Sequence, residues 1–157
     1  MKKLKLDKNF TPCPVADGDE LYENGIFVFN ITKMVEYARN NADNIPVEDV
    51  VVNDLPEKSQ FINWTHVDTV DISSPIVLAE IAPGRYNVID GNHRVEKARK
   101  MGIPRIPALR LTIAQHVRFL ISQRAYVCYV EYVNGKLKDI AKMERYAASR
   151  VRGKMSL

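Results

Sequence analysis

The residues best suited to chemistry stand together at Asp90-Gly91-Asn92-His93-Arg94, which puts a carboxylate, an imidazole and a guanidinium within one short run. An apolar stretch, Tyr86-Asn87-Val88-Ile89, precedes them and a helical pattern follows, so the run reads as a turn from a strand into a helix. The first N–H groups of a helix lack internal partners, and the helix dipole adds partial positive charge there. His93 and Arg94 fall in or beside that first turn, where cations are disfavoured unless something negative lies among them. Phosphate satisfies the backbone donors, the forked guanidinium and the titratable imidazole together. Asp90 then orients the basic residues, or holds a magnesium ion that accompanies a nucleotide; no structural metal is expected. A plainer reading has Asp90 and Asn92 capping the helix while His93 and Arg94 make surface ion pairs, because short glycine motifs recur by chance. The GxGxxG of a dinucleotide fold is absent.

Further candidates lie in residues 53–75, a polar stretch without sustained periodicity that holds Asp54, Trp64, His66, Asp68 and Asp71. A loop of that length inside a compact domain is commonly functional, although a lone His or Trp more often packs than binds. His66 and Asp68 are the residues it would contribute if it closes over the turn. Glu80 is a second acid, on a strand expected to face the turn across a hairpin, unless it simply faces solvent. No dense carboxylate cluster of the two-metal kind is visible, unless residues 53–75 supply Asp54, Asp68 or Asp71 from the other side of the pocket.

Local patterns around these residues predict the elements that must position them. Ile26 to Phe29 is strand-like, and Asn30 stands as N-cap to a helix with Ile31, Met34, Val35 and Ala38 at helical spacing. Val50-Val51-Val52 reads as a buried strand. Ile76 to Ala79 and Tyr86 to Ile89 are strands joined by the Pro83-Gly84 turn. The helix after Arg94 turns Val95, Ala98 and Met101 to one face, pairs Glu96 with Lys100, and stops at Gly102. Ile106 to Leu111 is the next strand, and Thr112-Ile113-Ala114-Gln115 opens a helix carrying Ile113, Val117, Leu120 and Ile121 inward. Tyr126 to Val133 is β-rich, Asn134-Gly135 a turn, and 136–150 a basic helix. The first thirty residues look irregular. The order mixes strands and helices without strict alternation, which predicts an α+β domain with a mixed sheet and flanking helices over residues 1–157.

Composition narrows the class. A chain of 157 residues with 46% hydrophobic and 27% charged residues supports one real core rather than disorder. The net charge of +4 permits a polyanionic partner without requiring one. Residues 136–154 concentrate it, with seven basic residues against Asp139 and Glu144, and read either as a solvated face or as a nucleic-acid contact. Cys13 and Cys128 form neither a disulfide framework nor a metal spacing, and no stretch approaches a membrane span, so a reducing cytoplasm is expected.

The run from Pro75 to Leu111, PIVLAEIAPGRYNVIDGNHRVEKARKMGIPRIPALRL, resembles the core of the ParB/sulfiredoxin superfamily: an apolar strand, a hairpin, a G-x-x-R turn onto a helix, a glycine and a short strand. The resemblance covers under a quarter of the chain, and residues 1–74 carry none of it. It implies a nucleotide of the ATP, ADP or CTP type at Gly91, Asn92, His93 and Arg94, with magnesium. Sulfiredoxins place a cysteine immediately before the His-Arg pair; here that position is Asn92, which argues against sulfinic-acid reduction. ParB partition proteins carry a Gly-Glu-Arg-Arg version and a helix-turn-helix domain for which this chain has no clear room. Free-serine kinases carry Asp-Gly-His-His-Arg, the version most similar to Asp90–Arg94. The kinase version implies that Arg94 and the 91–93 backbone grip phosphates, His93 stabilises the transferring group, and Asp90 or Glu80 acts as base or metal ligand. The expected activity is therefore on phosphate bonds, as an NTPase, nuclease or small-molecule kinase. The alternatives are a non-catalytic DNA- or RNA-binding module that uses 136–154, and a relic of the fold kept for protein contact.

Overall fold

A computed structural model describes residues 1–57 and 62–156. A hairpin of β1 (Leu21–Asn24) and β2 (Phe27–Asn30) leads into α1 (Ile31–Arg39). Asn30 caps that helix as its sequence predicts, its side chain accepting the N–H of Lys33 at 3.1 Å. There follow β3 (Glu48–Val51), the short helix α2 (Trp64–Val67), β4 (Ile76–Ala82), β5 (Arg85–Asp90), α3 (Asn92–Lys100), β6 (Arg105–Leu111), the single turn α4 (Ile113–His116) and a long α5 (Gln123–Met155).

Four strands make a mixed sheet in the order β3-β6-β4-β5, with β4 parallel to β6 and the other pairs antiparallel. The fold is thus α+β with a mixed sheet and flanking helices. Alternation along β4 divides the interior in two. Val77, Ala79 and Ile81 face a core shared with β2, α1, α4 and α5, while Ile76 and Leu78 face a smaller one closed by Val95 and Ala98 of α3. Gly102 stops α3 at φ +67°, and Ile103 N–H returns to the Ala98 carbonyl at 2.9 Å.

Several local expectations are corrected. Residues 126–133 are helix: Tyr126, Tyr129, Val130 and Val133 all bury one face of α5, a spacing of three and four that outranks the β-propensity of Tyr and Val. Asn134-Gly135 is no turn either. Asn134 sits inside α5, and its amide clamps Leu4, accepting from the N–H at 2.8 Å and donating to the carbonyl at 3.0 Å. The expected helix from Thr112 keeps its capping box but ends after one turn, and Leu120 bridges Phe29 instead. Met101 is exposed rather than facing inward, and Glu96 pairs with Arg99 at 2.6 Å instead of Lys100. The first thirty residues include a strand, Leu21–Asn24, and the strand after it begins at Phe27. No described helix is long and apolar enough to cross a membrane.

Candidate functional site

Asp90 ends β5 opposite Val77 of β4, and Gly91 turns the chain into α3 at φ +97°. A β-carbon at Gly91 would lie 2.6 Å from Ile76 Cγ2 and 2.8 Å from a terminal nitrogen of Arg94. Both backbone and space therefore demand glycine here. As N-cap, Gly91 offers no side-chain acceptor, and the first turn of α3 holds no acid, so the N–H groups at its start keep the open donors of an uncapped helix.

Arg94 does not reach outward from this turn. Its guanidinium folds beneath it, donating to Asp90 Oδ2 at 2.9 Å and to Ser74 Oγ at 3.1 Å, with a side chain only 14% exposed and Nε buried without a described partner. Arg39, at the end of α1, donates to the same Asp90 oxygen at 2.7 Å. The cation in the first turn is thus answered from within the chain. Two guanidiniums on one carboxylate oxygen oppose a divalent ion at that oxygen.

His93 faces the 62–74 segment. Its Nε2 accepts the N–H of Asn63 at 3.2 Å. His66 meets that ring edge-on, centroids 5.0 Å apart. Lys97, one turn on, donates to the carbonyls of Val70 (2.7 Å) and Asp68 (3.2 Å), and Lys100 pairs with the Asp68 carboxylate at 2.9 Å. Residues 93, 97 and 100 share one face of α3, so that face fastens the segment beside the turn. His66 is thereby brought to the site, while Asp68 is occupied as an anchor. Asp71 is turned onto Ser73, whose hydroxyl and N–H hold its carboxyl below the usual range.

Asn92 looks the other way, its amide loosely toward the Val88 carbonyl at 3.5 Å. It borders a cleft of about 550 Å³ with Tyr22, Asn87, Glu96 and Arg99. Glu80 is not gathered with the turn. It pairs with Tyr86 at the far end of the hairpin, three residues from Val77 and so roughly 10 Å along the strand from Asp90's partner. Its carboxylate accepts the Tyr86 hydroxyl at 2.6 Å, while Arg110 stacks on the Tyr86 ring at 4.4 Å and reaches Glu48 at 2.6 Å. Burial, with that carboxylate beside it, pushes the Tyr86 hydroxyl up. Asp54 borders a separate cleft there, with Tyr86 and Arg110.

Sequence reasoning missed Arg39, Ser74 and Asn63. None is marked by the turn's own local pattern, because Arg39 reaches it from the end of α1 and Asn63 and Ser74 reach it from the 62–74 segment. No family model matches the chain, and comparison with curated proteins gives no match either.

Proposed function

We propose that this is a nucleotide-binding domain of ParB/sulfiredoxin type, which holds phosphates at the start of α3 and acts on phosphate bonds. The observation that carries the reading is Gly91: a left-handed N-cap with no space for a β-carbon, opening an uncapped helix beside a histidine pair. The N–H groups of residues 92–94 donate to phosphate oxygens, and the His93 ring lies beside them. Arg94 acts as a positioning residue that fixes Asp90 and the turn, rather than as an outward grip. Phosphoryl transfer rests on positioning and charge neutralisation, so so small a set suffices. No step is routed through magnesium, and Glu80 has no role in it.

Isothermal titration with ATP, ADP, CTP and inorganic triphosphate, with and without magnesium, tests the reading. Binding that is weakened by His93→Ala, in a variant that melts like the parent, supports it. Silence from every nucleotide on a folded protein overturns it. A second reading, a non-catalytic nucleic-acid module, draws on α5, where Lys138, Lys142, Arg145 and Arg152 are exposed along one side. Binding to DNA or RNA whose salt slope falls on removal of residues 136–157 would favour it.

A further inference from the structure

Helix α5 has two unlike halves. Ala125, Tyr126, Tyr129, Val130 and Val133 are buried in the body, but residues 138–156 are all exposed. At 1.5 Å per residue this is an arm of roughly 28 Å. It is not polar all round. Leu137, Ile140, Met143, Ala147, Val151 and Met155 recur every three or four residues, a continuous apolar stripe. Ile140 is 40%, Met143 72% and Val151 58% exposed. Glycines at 135 and 153 each weaken a helix by about 1 kcal/mol, so the arm has little intrinsic reason to persist bare in water. A stripe of this kind marks an interaction surface.

We infer that the stripe seats the same arm of a second copy, antiparallel to it. Charge decides both partner and direction. The arm's two acids, Asp139 and Glu144, lie in its first half, while beyond Glu144 it carries only cations, Arg145, Arg150, Arg152 and Lys154. Parallel arms would set Arg150 and Lys154, which flank the stripe, beside their own copies. Antiparallel arms centred between Glu144 and Ala147 bring the acid-bearing half of each against the cationic half of the other. Ile140 then meets Val151 of the second copy, Glu144 lies within a turn of its Arg150, and Ala141 and Ala148 permit close approach. Glu144 also decides against a lipid surface. It falls within the stripe, four residues after Ile140 and three before Ala147, where an anionic membrane would meet a carboxylate. The basic side, Lys138, Lys142, Arg145 and Arg152, stays outward.

Sedimentation equilibrium on the full chain is the test. The expected result is a dimer whose dissociation constant rises on the order of tenfold or more in Met143→Glu, with circular dichroism and melting of the body unchanged. Mild oxidation of mixed Ile140→Cys and Val151→Cys chains should give a cross-linked heterodimer, beside a parent control for Cys13 and Cys128. Ile140→Cys alone should cross-link poorly, because antiparallel packing holds its copies roughly 16 Å apart along the axis. A monomer at high concentration, a dimer indifferent to Met143→Glu, or efficient Ile140→Cys self-linkage each overturns the proposal. So does a monomer that instead binds phosphatidylserine vesicles or nucleic acid through the stripe.

Discussion

The turn at Gly91 and the arm of α5 are both basic, yet they are built in opposite ways. At the turn, each charge is tied to elements remote in the chain: Asp90 to Arg39 of α1, Arg94 to Ser74, His93 to Asn63. In the arm, the charges stand on an exposed helix face and the apolar residues have no cover within the described chain. The difference teaches where each can be damaged. A change at the turn is felt by the whole fold, whereas a change in the arm is felt only by what binds it.

The largest effect that would break this contrast is at Gly91. Gly91→Ala combines a left-handed backbone with a contact at 2.6 Å, and should destabilise the fold by on the order of 3 kcal/mol in urea unfolding. A loss below about 0.5 kcal/mol would show that the turn is softer than its packing implies.

Next is the pH dependence of the body. Burial between Phe29 and Tyr129 pushes His116 down to about 4, from an ordinary 6.5. The folded state resists a proton that the unfolded chain accepts, so this stability is complete above pH 6.5 and is lost as pH falls from there toward 4. The loss is about 3 kcal/mol for a shift of this size. His116→Gln should flatten that acid slope, and removing residues 136–157 should leave it unchanged. A slope that followed the arm instead would erase the distinction.

Within the turn, Arg94→Ala strips Asp90 of its buried partner and leaves Ser74 unpaired, at a cost of about 1–3 kcal/mol. Arg39 is half exposed, so Arg39→Ala should cost under about 1 kcal/mol in the same melt. The reverse ranking would make Arg39 the anchor. The smallest effect belongs to the arm: Lys142→Ala should shift body stability by less than about 0.5 kcal/mol, yet lower the salt slope of any polyanion binding.

Much of the turn was legible because its signals are local. An apolar strand, a glycine and a change of period mark Ile89 to Arg94 without reference to the rest of the chain. The cap at Asn30, the capping box at Thr112 and the stop at Gly102 are legible for the same reason. What misled were segments where two local signals compete. In 126–133, β-propensity and helical spacing coincide, and packing against β2 and Phe10 favours the helix. At Asn134-Gly135, a turn dipeptide is overridden because the asparagine amide finds a backbone partner at Leu4.

The sequence by itself determined where the chain turns, which faces are apolar, and that a glycine-led helix start lies among charged residues. Only the tertiary structure decided what those charges do. Whether Arg94 reaches for a ligand or for Asp90 depends on Arg39 and Ser74 arriving from elsewhere, and Coulomb attraction at under 3 Å leaves no sequence trace when its partners are 51 residues apart. The same holds for Glu80, which strand register places at Tyr86 and away from the turn.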